Sequence, residues 1–402
     1  MVSFTLVTFT ALAAAVFALV VPENSSLDKR SSNFLKLDFD VVRNADVKKS
    51  RVHKIANGNG TFTETLYNKD AYYITYVYAG SNKQKIGVDL DTGSSDLWFV
   101  DSSAGCFDNA CQYGTYNPSE STTSKNLNEV FFIEYGDNSY AQGLYYTDDI
   151  GFASSDSSAV AKNLQFADAT RNDAGMGILG IGFDTLGAEA TVITGGPTYP
   201  NLPYVLKNQG IISKVAYSLF LDSPDAASGS VLFGGKDLAK VNGELVTLPI
   251  TTDNALTVNL NTLSLGNQTA EINTDVLLDS GTTIFYLPDA AFTQLIGSLP
   301  GAYWKNVSGT PLYLVDCATP VPDLTFEFNF EGITIPVPLN DTYSTNITDE
   351  NDQFVGCGYL ISTGNILGDT FLRRAYVVYD LEDGEISLGL PKYAQESNIV
   401  PI

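Results

Sequence analysis

Two carboxylates stand in matched settings along this chain. Asp91 lies in VDLDTGSSDLWFV at 88–100, and Asp279 lies in VLLDSGTTIFYLP at 276–288. Each is followed by a second matched segment, ILGIGF at 178–183 and ILGDTF at 366–371, and the interval from Asp to Ile is 87 residues in both halves. One Asp-Gly turn is common. Two such turns with the same partner at the same interval point to two copies of one unit, which makes Asp91 and Asp279 equivalent across a pseudo-twofold axis. Carboxylates brought together share a proton and titrate as a pair. The singly protonated pair is base and acid at once. Its ionised oxygen takes a proton from a bound water, and its protonated oxygen polarises a substrate carbonyl. Water then attacks to give a tetrahedral intermediate without a covalent adduct, which is the chemistry of peptide-bond hydrolysis.

Such a pair needs rigid supports, because a misplacement of about 1 Å is expensive. Side chains alternate along a strand, so Val88 and Leu90 should face a core while Asp89 and Asp91 face the other way. Gly93 and Gly281 permit tight turns whose backbone N–H groups can point at the carboxylates. Ser94 and Thr282 carry hydroxyls within reach of Asp91 and Asp279, and Thr92 and Ser280 could tie the two turns to each other.

At 402 residues the chain should hold about two domains of ordinary size, and 44% hydrophobic residues with 22 Tyr and 22 Phe suffice for sizeable cores. The 46 acidic and 22 basic residues give a formal charge of −24. A nucleic-acid partner is disfavoured, since it demands basic patches. Acidic surroundings would partly discharge such a surface. Histidine occurs once, at His53, in a segment expected to be removed, so neither a Ser-His-Asp triad nor a His-bearing zinc site has material to draw on. Four cysteines are too few and too separated for a zinc cluster, and no metal or other cofactor is expected. In a secreted chain they suggest disulfides. Of three possible pairings, Cys106–Cys111 and Cys317–Cys357 are favoured because each stays inside one half.

Residues 3–21 are almost entirely apolar, and the polar PENSS that follows favours a signal peptide, residues 1–18, over a membrane helix. Residues 19–58 read as a propeptide, with its end between about 51 and 60. Residues 1–60 are mildly basic on a strongly acidic body, which suits an inhibitory prosegment held over an acidic cleft by charge. From about residue 61 short Val/Ile/Tyr/Phe runs between turns predict β structure, with helical signals only at 201–210 and 289–299. Two lobes are expected, 59–240 and 241–402. The C-terminus lacks the apolar tail of a lipid-anchor signal, so the product should be a soluble, extracellular monomer with no membrane attachment after signal removal. Sequons place candidate glycans at Asn59, Asn267, Asn306, Asn340 and Asn346.

These segments together resemble the pepsin-type aspartic proteases, most closely the secreted yeast enzymes of the candidapepsin kind. The likeness covers nearly everything from about 61 to 402 and rests on DTGSSDLW, FFIEYGDNSYAQG, GILGIGF, NLPYVLKNQG, SGSVLFGG, LLDSGTT and NILGDTFLR. It implies an all-β, bilobal acid-protease fold with a central cleft that takes an extended polypeptide as an added strand. It implies that Asp91 and Asp279 are the catalytic pair. Tyr135 would be the flap tyrosine, hydrogen-bonded to Trp98, with Gly136 and Asp137 at the flap tip and Thr283 on the substrate side. Asn138 stands where the family has glycine, though Asn tolerates positive φ better than most residues. Asp89 replaces a usually apolar residue. With Asp137 it could favour Lys or Arg before the scissile bond; alternatively it is protonated or turned away, leaving a hydrophobic preference intact. A processing protease cutting at basic sites and a catalytically silent binding module are the competing readings. The present aspartates, their hydroxyls and Tyr135 argue against silence.

Overall fold

A computed structural model describes residues 34–43, 71–105, 111–136, 139–153, 160–187, 198–307, 309–349 and 353–402. The architecture is mostly β, as the turn-punctuated pattern predicts. A 13-stranded sheet runs, in order, through Val241–Pro249, Glu385–Pro391, Tyr376–Asp380, Ala216–Phe220, Ser228–Phe233, Leu35–Arg43, Ala71–Ala79, Gln84–Asp91, Gly177–Gly180, Leu97–Val100, Val160–Asn172, Tyr140–Gly151 and Lys125–Glu134. Strands from both ends of the chain therefore share one sheet. A seven-stranded sheet built from 257–367 and a four-stranded one built from 303–359 complete the C-terminal half.

Alternation sets the faces. Val88 and Leu90 are fully buried in a core that extends through both halves, while Asp89 and Asp91 lie on the opposite side of their strand. A smaller apolar cluster of Trp98, Val100, Phe131, Ile133, Tyr145 and Tyr199 fills the space behind the 125–151 hairpin.

The N-terminal segment contributes a strand of its own. Leu35, Leu37 and Phe39 are buried in the shared core, and their strand pairs with Ser228–Phe233 on one side and with Ala71–Ala79 on the other. This described part of the N-terminal segment is held by a sheet ladder, and the basic stretch at 48–54 lies outside the described residues. The helix expected in 201–210 spans Leu202–Asn208. That expected in 289–299 starts at Asp289–Ala291 and widens into a π turn over Phe292–Ile296. A further short helix, Asp369–Leu372, follows the second ILG segment. Among the described residues no helix is long and apolar enough to cross a membrane; residues 3–21 lie outside them.

Candidate active site

Strand Gln84–Asp91 ends on the first aspartate, and strand Gln268–Leu278 ends one residue before the second. Each pairs in parallel with its ILG segment at the same register, Asp89 opposite Ile178 and Leu277 opposite Ile366. The equal intervals in the sequence are thus equal positions in space. Glycine at the ILG position is required by close approach. A Cβ on Gly180 would lie 2.6 Å from the Ser95 backbone, and one on Gly368 would lie 2.1 Å from the Thr282 carbonyl oxygen.

The two turns grip each other. Thr92 N–H donates to Ser280 Oγ (3.1 Å) and Ser280 N–H donates to Thr92 Oγ1 (2.9 Å). The same hydroxyls donate across to backbone carbonyls, Thr92 to Leu278 (2.9 Å) and Ser280 to Leu90 (2.8 Å). Each carboxylate is then fixed by its own turn. Gly93 N–H donates to Asp91 Oδ1 and Gly281 N–H to Asp279 Oδ1, both at 2.8 Å. The Ser94 hydroxyl donates to Asp91 Oδ2, and the Thr282 hydroxyl to Asp279 Oδ2 at 2.6 Å. The aspartates meet at the seam. A Cβ on Gly93 would lie 2.6 Å from Asp279 Oδ1, and one on Gly281 would lie 2.5 Å from Asp91 Oδ1.

Asp91 and Asp279 are 6% and 8% exposed, so both carboxylates sit largely out of water. Burial, and next the Asp91 charge, push the Asp279 carboxyl up from the ordinary 3.8 to about 7, against the pull of the Thr282 hydroxyl and the Gly281 N–H. One proton is therefore retained at this seam through the acidic range.

Tyr135 follows the strand Lys125–Glu134, and its N–H donates to Ser139 O (2.8 Å), closing the hairpin end. Its hydroxyl accepts a hydrogen bond from Trp98 Nε1 (2.7 Å), the partner that the family resemblance implies. Gly136 is exposed beside it, and Asp137 and Asn138 lie outside the described residues. Thr283 is buried, and its hydroxyl makes no hydrogen bond among the described residues. Asp89 is also buried, and its Oδ1 accepts the Tyr73 N–H at 2.9 Å. The Tyr73 hydroxyl in turn accepts from Arg373 Nε (2.9 Å), while Arg374 pairs with Asp341.

Cys317 and Cys357 form a disulfide with Cα atoms 5.1 Å apart, as expected. Cys111 is also disulfide-bonded, and Cys106 lies outside the described residues. Asn267, Asn306, Asn340 and Asn346 are all exposed, and Asn59 lies outside the described residues.

Two buried acids were not singled out in the sequence. Asp96 receives the hydroxyls of Tyr145 (2.9 Å) and Tyr199, and its carbonyl accepts the Gly180 N–H (3.0 Å). It thereby ties the first aspartate turn to the hairpin strand Tyr140–Gly151. Its place at the end of DTGSSD was the available signal. Asp168 lies against Asp101, and burial first, then the hydrogen bond and charge of Asp101, raise its carboxyl to about 9. Nothing local in FADAT marks that pairing.

The chain matches the family model described as eukaryotic aspartyl protease over residues 72–390. It is 42% identical over 408 residues to candidapepsin-3 of Candida albicans strain WO-1, covering 98% of each chain. It is 41% identical over 409 residues to secreted aspartic protease 1 of Candida albicans strain SC5314, and 39% identical over 406 residues to candidapepsin of Candida tropicalis, again with 98% of each chain covered. With the doubled aspartate turns, their mutual grip and this full-length likeness in view, the chain belongs to the eukaryotic aspartyl proteases and is an aspartic endopeptidase of the candidapepsin type.

Proposed function

We propose that this protein is a secreted, acid-active endopeptidase, made as a zymogen, in which Asp91 and Asp279 activate one water against a peptide carbonyl. The observation that carries the reading is the shared seam at which the two carboxyls meet, each held by an N–H and a hydroxyl of its own turn. With one proton on the pair, the ionised oxygen accepts a proton from water while the protonated carboxyl donates to the scissile carbonyl oxygen. The tetrahedral intermediate then collapses as a proton passes to the leaving nitrogen. The donors fixed on each carboxylate leave little reorganisation for the reaction itself. The flap residues Tyr135 and Gly136 would cover the extended substrate, and the buried Thr283 hydroxyl would bond its backbone.

Asp91→Asn or Asp279→Asn should cut peptide hydrolysis by about 10⁴-fold or more with the fold intact by circular dichroism. A statine-type transition-state analogue should inhibit the native protein. Folded variants that retain activity would sink the reading. Secretion is supported by the names of the secreted Candida relatives. Zymogen character is supported by the leader strand Leu35–Arg43, which the shared sheet holds.

The finer reading, acceptance of Lys or Arg before the scissile bond, rests on Asp89 together with Asp137. The hydrogen bond from Tyr73 N–H to Asp89 supports instead a carboxylate committed to its neighbouring strand. Matched peptides with Lys or Leu at that position, cut by the native protein and by Asp89→Leu, decide between them. A Lys advantage lost in the variant assigns the preference to Asp89, and equal ratios remove it.

A further inference from the structure

The chain holds two tryptophans in opposite situations: Trp98 is fully buried, whereas Trp304 is 57% exposed. Trp304 lies on Tyr303–Val307, an edge strand of the four-stranded sheet. A large exposed aromatic ring on a sheet edge is a liability, because it invites association with another chain. Two residues further along the same strand stands Asn306, the acceptor of the sequon Asn306-Val307-Ser308. Side chains two apart share a face of a strand, at a spacing of about 7 Å. Val307 fixes which face that is. It is buried with Leu312, Leu314 and Ile347, so Trp304 and Asn306 project from the opposite side, across from Tyr313 and Pro311. The Asn306 side-chain Oδ1 accepts the Gly309 N–H at 2.8 Å, which orients the amide and keeps Nδ2, the atom that would bear a sugar, outside that bond.

We propose that Asn306 carries an N-linked glycan whose first N-acetylglucosamine lies on the face of the Trp304 ring. The polarised C–H face of a pyranose is a suitable partner for the electron-rich face of an indole. In the transfer, Asn306 Nδ2 bonds to C1 of the sugar. The bond from C1 to the phosphate of a lipid-linked pyrophosphate donor breaks, the lipid pyrophosphate leaves, and the amide releases one proton to solvent. The sugar covers the exposed ring and blunts the sheet edge on which it sits.

The inference rests on passage through a secretory pathway, so the test uses full-length protein recovered from the medium of a glycosylating yeast host. Peptide mass spectrometry should find hexosamine on the peptide containing Asn306. Acrylamide quenching of tryptophan fluorescence should then report Trp304, because Trp98 is inaccessible. Complete removal of the glycan, or Asn306→Gln, should raise the quenching constant about twofold as one ring face is uncovered. Trimming to a single N-acetylglucosamine should leave quenching low, and Asn346→Gln should leave it unchanged. A bare Asn306 in protein taken from the medium overturns the proposal alone. Failure of the chain to reach the medium overturns the secretion reading and this one together. A glycan on Asn306 whose removal leaves quenching unaltered overturns the stacking, as does protection that follows protein concentration, which would assign the ring to self-association.

Discussion

At Asp279 two forces act in one direction. Burial and the Asp91 charge both resist ionisation, and together they outweigh two hydrogen-bond donors to bring the carboxyl to about 7. The proposed reaction needs the proton that this carboxyl holds. Activity should therefore persist through the acidic range and fall about tenfold per pH unit above roughly 7, as the second proton leaves the pair. A pH profile of kcat/KM on a peptide without ionisable side chains checks this, and a plateau continuing well beyond pH 8 would contradict it. The same shift has a thermodynamic sign. Between about 4 and 7 the folded chain binds this proton more tightly than the unfolded chain does, so stability from this residue declines as pH rises through that window.

The two aspartate turns are elements whose strength lies in reciprocity. The Thr92 hydroxyl serves two buried partners, accepting the Ser280 N–H and donating to Leu278 O. Thr92→Val preserves the shape and strands both groups, so it should destabilise the protein by about 2–4 kcal/mol and lower kcat more than it raises KM. Thr92→Ser should restore most of both. Thermal melting and steady-state kinetics on the three proteins measure it, and a Val variant as active and stable as the Ser variant would show the grip to be dispensable. These turns were legible in the sequence because their chemistry is local: an aspartate, a glycine and two hydroxyls within four residues, repeated at one interval. Trp98 and Tyr135 were legible only through family likeness, since a 37-residue separation carries no spacing rule. The Asp168–Asp101 contact and the Tyr145 and Tyr199 hydroxyls on Asp96 escaped, because each depends on which strands become neighbours. Helix Asp369–Leu372 escaped for a different reason: four residues are too few for a periodic pattern.

At the scale of the whole molecule, acidity should favour the fold as well as the chemistry. Asp168 lies in the N-terminal half, distant in sequence from the dyad, yet its carboxyl is raised to about 9 beside Asp101. The native state thus keeps a proton that the unfolded chain gives up near 4, and stability should drop steadily as pH rises from about 4 to 9. Asp168→Asn keeps the donor capacity and removes the titration, so its melting temperature should vary less with pH over that range. Parallel melting curves of native protein and variant at pH 4, 6 and 8 test this, and identical slopes would exonerate the pair.

The strand Leu35–Arg43 has a consequence for a chain cut on its C-terminal side. It lies mid-sheet, bonded on one edge to 228–233 and on the other to 71–74. Cutting the chain anywhere between 44 and 70 severs a covalent tether without touching either ladder. The freed N-terminal piece would remain seated through this nine-residue strand as a non-covalent guest, and its departure would open a strand-wide gap in the sheet. Scission and release would thus be separate events, and release would have to break both ladders and draw Leu35, Leu37 and Phe39 out of the core.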